Sequence, residues 1–184
     1  MKSVSRILFY SVALLANHIA VAQTAVTVSQ AIDYWASNTE TRVVSTADVM
    51  PEEKYSFAPA AGEFAGVRTF REQVKHLSAC NYRMAAYILK QTPTPDQESE
   101  IGPADVQTKA QIMEYVRGSY TALHRAIATV DAKNAVETLT AGPGPEVRTR
   151  LQIATLALIH ANDHYGQMVE YLRMNGIIPP ASRK

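Results

Sequence analysis

His160 and His164 stand four residues apart in the stretch LIHANDHYGQ, inside a pattern that is otherwise helical. On a helix, positions i and i+4 share a face, separated by about 6 Å of rise. Two imidazoles placed in this way can turn toward one divalent ion, which takes neutral histidine nitrogen at roughly 2.0–2.1 Å. A third ligand must then come from another helix, and His76 is the leading candidate. Three histidines would leave coordination positions open for water or substrate. An ion held in this way lowers the pKa of bound water from about 15.7 toward about 7, or ionises a bound thiol, and so makes a nucleophile at neutral pH.

A second reading competes with this one. Two histidines four apart occur by chance, and a pair hydrogen-bonded to neighbouring side chains would also offset the roughly 2–7 kcal/mol cost of burying an unpaired polar group. In that case the bundle holds no metal at all. Taken alone, His76 reads as a solvated edge residue, and His124, between Leu123 and Arg125, reads the same way. Cys80 lies one turn beyond His76 on the same face and reads first as a small core residue. A fourth, soft ligand is its alternative role.

The stretch HANDH is not HExxH. Ala161 follows His160 where a zinc protease carries its glutamate base. Asp163 points about 100° away from His164 and reads as a supporting or surface carboxylate. Tyr82, Asp163, Tyr165 and Gln167 are the candidates for proton handling. Nothing suggests a serine or cysteine nucleophile, and no glycine-rich phosphate loop appears. Gly142-Pro143-Gly144-Pro145 is a turn whose prolines lack the amide donors a phosphate cradle needs.

The elements that must position these side chains are helices. The first spans about Val28 to Val49 and is ended by Met50-Pro51, since the residue before proline is pushed out of helical geometry. A loop carrying Pro51, Pro59, Gly62 and Gly66 follows. The second helix starts at Thr69, where Thr69 and Glu72 form a capping box, and its stripe Phe70, Val74, Leu77, Met84 and Ile88 runs to about Lys90. The third covers about Ala104 to Val130, with a short helix possible at Ala132–Leu139. The fourth runs from Pro145, suited to a first helical position, to Asn175, with Gly176 as its left-handed cap. Its centre, TLALIHA, is apolar nearly all round and places it deep in the core. Strand signals are poor throughout. Four helices of this length predict an all-α four-helix bundle, antiparallel or crossover; loop lengths do not settle the topology, and one long crossover connection is the reading adopted. The 13 residues from Gln91 to Pro103 reach about 43 Å when extended, enough to run the length of a bundle.

The chain has 184 residues, 47% of them hydrophobic and 19% charged, which fits one globular domain. Residues 1–22 read as a signal peptide. Lys2 and Arg6 supply the positive region, Ile7 to Ala16 the apolar one, and Ala20-Val21-Ala22 the cleavage site. The domain is then 23–184, in the periplasm or secreted. Asn17 and His18 interrupt the apolar run short of the roughly 20 residues a span needs, so no stable membrane insertion is expected. Cleavage takes the formal charge from +1 to −1, because it removes Lys2 and Arg6 and no acidic residue. That balance gives no footprint for nucleic acid. The single cysteine, Cys80, cannot form an internal disulfide.

The segments MPEEKYSFAPA at Met50–Ala60, RTFREQVKHLSACNY at Arg68–Tyr82 and HANDHYGQMVEYLRMNGIIPPAS at His160–Ser182 resemble the DinB-like family of metal-binding four-helix bundles. The resemblance implies a single bundle holding one divalent ion, usually zinc or nickel. The family's first ligand falls on His76 and its paired ligands on His160 and His164. It also implies a possible homodimer and, in some relatives, thiol-dependent transferase or isomerase activity on a small-molecule substrate that the sequence does not identify. An exported protein meets little free thiol, which weighs against direct transfer of that role. The expected function is therefore a metal-dependent transferase or hydrolase. The alternative is a non-catalytic, metal-stabilised bundle.

Overall fold

The computed structural model describes residues 25–60, 66–139 and 147–183. The leader read at 1–22 and the Gly142–Pro145 turn, with the helix start expected at Pro145, lie outside them. Four long helices make the framework: α1 (Val28–Val49), α2 (Phe70–Ile88), α4 (Lys109–Ile127) and α5 (Arg150–Met174). One turn of helix, α3 (Pro95–Glu98), sits in the connection between α2 and α4. Among the described residues, no helix is long and apolar enough to cross a membrane.

Each long helix begins with the same device. Thr27, Thr69, Thr108 and Thr149 cap α1, α2, α4 and α5, each in a box with a Gln or Glu three residues on. The Thr69–Glu72 box is the one the sequence predicts, with Thr69 N donating to Glu72 Oε2 at 2.7 Å. At the other end of α5, Gly176 takes φ +71° and Ile177 N reaches back to the Leu172 carbonyl at 2.9 Å, satisfying a carbonyl that the helix end leaves open.

The order around the bundle is α1, α4, α2, α5, so sequential neighbours α1 and α2 stand diagonally, as do α4 and α5. Directions follow from side-chain contacts. Lys109 Nζ at the start of α4 meets the Asp48 carbonyl near the end of α1, and Arg150 at the start of α5 meets the Ile88 carbonyl at the end of α2. Those pairs are antiparallel. The start of α2 lies by the start of α4, where Arg71 bonds Gln107, and further along Asn81 bonds Ser119. Helices α2 and α4 are therefore parallel, and the chain between them must travel the length of the bundle. This is the expected long crossover. It runs back along α2, with Tyr87 bonded to Glu98, His76 to Glu100 and Arg71 to Gln107.

The core is closed by Phe70, Leu77, Ile88, Ile112, Leu123, Ile127, Ile153, Met168 and Leu172, all fully buried. Each contributes about 1.5–3 kcal/mol through removal from water. Tyr55, in the turn after α1, is buried with its hydroxyl donating to the Ala47 carbonyl at 2.8 Å.

Several expectations need correction. Helix α4 begins at Lys109, not Ala104, because Thr108 supplies the cap. No helix forms over Ala132–Leu139. That segment is a turn, organised by Asp131 and Asn134, that leads into strand β1 (Thr138–Leu139), paired antiparallel with β2 (Arg148–Thr149). Helix α5 therefore starts at Arg150, since Arg148 and Thr149 form β2 and Thr149 is the cap. Nor is its centre buried all round: Ile159 is 61% exposed, because among the described residues α5 packs chiefly on α1 and α2. Trp35 is exposed and makes an edge-to-face pair with Tyr34.

Candidate metal centre

Helices α2 and α5 run antiparallel side by side, and each brings one turn's worth of donor residues to their shared face. From α5 come His160 and His164, and from α2 come His76 and Cys80. The Nε2 atoms of His76 and His160 lie 3.1 Å apart, as do those of His160 and His164. The ring centroids are 5.1, 4.8 and 4.4 Å apart for the pairs 76/160, 76/164 and 160/164. The three sequence-predicted residues therefore meet in one place. His76, His164 and Cys80 are buried and His160 is partly so. The ligand atoms of His76, Cys80 and His160 all lie within 4.8 Å of one another, a grouping that can hold a metal ion.

The outer nitrogens fix which way the rings present their lone pairs. The Nδ1–H of His76 donates to the Glu100 carbonyl at 2.8 Å, so its Nε2 is bare. The tautomer of His164 is set by a longer chain. The Asp163 carboxylate only accepts, so Gln167 turns its amide nitrogen to it at 3.0 Å. Gln167 Oε1 then accepts from Gln73 Nε2 at 2.8 Å, and Gln73 Oε1 accepts from His164 Nδ1 at 2.6 Å. The Nε2 of His164 is therefore bare as well. His160 Nδ1 is buried with no partner. A proton on His160 Nε2 satisfies one facing lone pair, and the Cys80 thiol, 3.7 Å from His76 Nε2, is only a weak donor to the other. A cation satisfies all three.

The spacing fits that role. Two nitrogens each about 2.1 Å from one ion at a tetrahedral angle lie about 3.4 Å apart. Carboxamide and carbonyl acceptors behind metal-bound histidines fix ring orientation and raise ligand basicity. Electrostatics keeps the rings neutral. Burial lowers the His76 pKa, helped by the Arg68 guanidinium. Burial, then His76 and Arg83, bring His160 down to about 4. Burial and the two other imidazoles bring His164 down to about 3. Neutral imidazole is the form that binds metal. Burial pushes the Cys80 thiol up to about 11, against the pull of Arg83.

Charged groups ring the site. Arg68 Nη2 bonds Glu100 Oε2 at 2.8 Å, and Arg83 Nη2 donates to Cys80 Sγ at 3.1 Å. A cleft of about 610 Å³, lined in part by Arg68, Gln73, Gln167 and Tyr171, opens beside the histidine cluster at the glutamine chain. Of the expected proton-handling residues, Asp163 and Gln167 lie in that chain. Tyr82 stacks on Tyr115 and lines a different cleft with Gly118, and Tyr165 packs on the core. His124 is not part of the centre. It sits between Asp33 and Glu40 on the α1–α4 side. Sequence reasoning missed Gln73 and Glu100. Gln73 stands three residues before His76 and one turn ahead on the same helix, which is the one signal it offered.

A family model described as the DinB superfamily matches residues 36–168. No curated protein matches the chain. Among solved structures, the crystal structure of a DinB-like protein from Bacillus cereus ATCC 10987 is similar over 84% of this chain and 97% of that one. The TM-score is 0.65 at 17% identity, a likeness of fold.

Proposed function

The chain belongs to the DinB superfamily, and from that premise we propose that it binds one divalent ion, zinc or nickel, through His76, His160 and His164 and acts outside the cytoplasm as a metal-dependent transferase or hydrolase. The observation that carries the proposal is the pair of bare Nε2 atoms on His76 and His164, both facing His160, whose own outer nitrogen is buried without a partner.

When bound, such an ion supplies Lewis acidity that brings a coordinated water or thiol toward neutral pKa. The chain's own residues do the rest. Glu100 and the Gln73–Gln167–Asp163 chain hold two rings in the ligating tautomer. Burial keeps the imidazoles unprotonated, and the positive ends of Arg68 and Arg83 add to it. The cleft beside Gln73 is of small-molecule size, within roughly 300–1,000 Å³, and Arg68 in its wall suits an anionic group.

A second reading is a non-catalytic bundle in which the ion braces α2 against α5. The 3.7 Å approach of Cys80 Sγ to His76 Nε2 favours it, because a fourth protein donor leaves the ion no free position.

Metal content by mass spectrometry after periplasmic purification tests the proposal. About one zinc or nickel per chain is expected, with most of it lost in His160→Ala and His164→Ala. Metal-free protein that shows no thermal shift on adding zinc or nickel would overturn it. Turnover of thiol or ester substrates that disappears on metal removal, with the fold intact, separates the enzyme from the brace.

A further inference from the structure

Both helices at the centre carry donors at i and i+4: His160 and His164 on α5, His76 and Cys80 on α2. Three of these four donors form the proposed ligand set. The fourth, Cys80, is 2% exposed and enters only the second reading above. We propose that Cys80 Sγ is the metal's fourth protein ligand, closing an N₃S tetrahedron in the resting protein. The inference rests on the metal reading and specifies what fills the remaining position.

Two independent observations carry it. The first is distance. A nitrogen about 2.1 Å and a sulfur about 2.3 Å from one ion, at a tetrahedral angle, lie about 3.6 Å apart. Cys80 Sγ is 3.7 Å from His76 Nε2, at that spacing, while its separation from the His160 nitrogen, within 4.8 Å, closes by about 1 Å when the ion draws the donors in. The second is a partly buried guanidinium. Arg83 Nη2 donates to Cys80 Sγ at 3.1 Å, with Arg83 itself anchored toward Glu98 at 3.7 Å. An N–H donor on sulfur, held by a carboxylate behind it, is the outer support that a thiolate ligand receives. The crossover segment Glu98–Glu100 thus orients both α2 donors, His76 through the Glu100 carbonyl and Cys80 through Arg83.

On coordination the thiol proton leaves to solvent and the sulfur lone pair forms the bond to the ion, with no change of oxidation state. The site is then a closed one, of the kind that holds structural zinc. An outside water or thiol enters only by displacing Cys80.

Cobalt(II) loaded into the metal-free mature protein reads the ligand directly. The expected spectrum has the visible bands of a four-coordinate ion together with an intense thiolate-to-cobalt charge-transfer band in the near ultraviolet. Cys80→Ser should lose the ultraviolet band and keep the visible ones. X-ray absorption of the wild-type zinc form needs no variant and should show one sulfur at about 2.3 Å. Visible bands without the charge-transfer band, or a zinc shell of nitrogen and oxygen alone, would overturn the role of Cys80 and leave the histidine reading standing. Failure to take up cobalt or zinc at all would overturn both.

Discussion

His164 Nδ1 donates to Gln73 Oε1 at 2.6 Å, and through that one bond a carboxylate on the surface of α5 sets the tautomer of a buried ring. Every member between Asp163 and His164 is an amide whose polarity is forced by the next. Gln73→Leu removes the acceptor and leaves a buried N–H unpaired. Zinc affinity, measured by competition with a chromogenic chelator, is expected to fall about 10–100-fold, the usual effect of losing an outer partner of a ligating histidine. Gln73→Glu retains an acceptor and should keep most of the affinity. Equal binding by wild type and Gln73→Leu would show that the chain plays no part in ligation.

Metal should also stabilise the fold, because the donors come from α2 and α5, which are 84 residues apart at His76 and His160. Binding to the native state alone contributes about 4 kcal/mol at a thousandfold excess over Kd. For a domain of this size that raises Tm by about 8–16 °C. Scanning calorimetry before and after chelation checks it. The same Tm in both forms would mean that the ion, if bound, does not hold the two helices.

His124 predicts a pH dependence unrelated to the metal. Its Nδ1 lies 2.5 Å from Asp33 and its Nε2 3.1 Å from Glu40, so it ties α4 to α1. Burial alone would lower its pKa, but the hydrogen bonds and charges of the two carboxylates raise it on balance above the usual 6.5. The folded-state pKa thus exceeds the unfolded one. The stabilisation is fully present below about pH 6.5 and is lost as pH rises through the folded value. Part of the cluster is open to water, which holds the effect to about 1 kcal/mol or less. The urea midpoint should fall between pH 6 and pH 8 in wild type by more than in His124→Gln. Matching profiles for the two proteins would remove His124 as the cause.

Much of this architecture could be read before any coordinates, for identifiable physical reasons. Thr69 with Glu72 and Gly176 after Asn175 are local devices, complete within a few residues, and both sit where the sequence places them. The paired histidines were legible because i and i+4 share a helix face whatever the tertiary fold. The 13 residues from Gln91 to Pro103 were legible as long enough for a crossover, but length alone does not choose between topologies, and the capped turn at Pro95–Glu98 inside them was not read. What failed was non-local. The ladder of Thr138–Leu139 with Arg148–Thr149 is too short to carry a period. Ile159 lies in an apolar run yet faces solvent, because only the packing order of the helices decides which face of α5 is covered. The Gln73–Gln167 bond joins residues 94 positions apart, and two uncharged amides leave no trace in composition or pattern.

Gly102 tests whether the crossover itself tunes the centre. It adopts φ +67°, and a Cβ there would lie 3.3 Å from both the Cβ and the carbonyl oxygen of Lys75, the residue before His76. Gly102→Ala therefore meets backbone strain of about 1–2 kcal/mol and a close contact as well. Relief of that contact moves the crossover off α2, and the nearest casualty is the Glu100 carbonyl that accepts from His76 Nδ1. Gly66 provides the control. It has φ +79° with open space around its Cβ position, so Gly66→Ala carries the strain without the push. Both variants should lose Tm, measured in the metal-free state. Only Gly102→Ala should also lose zinc affinity, by about 10-fold or more. If the two variants bind zinc alike, the crossover acts on stability alone and His76 takes its orientation from α2.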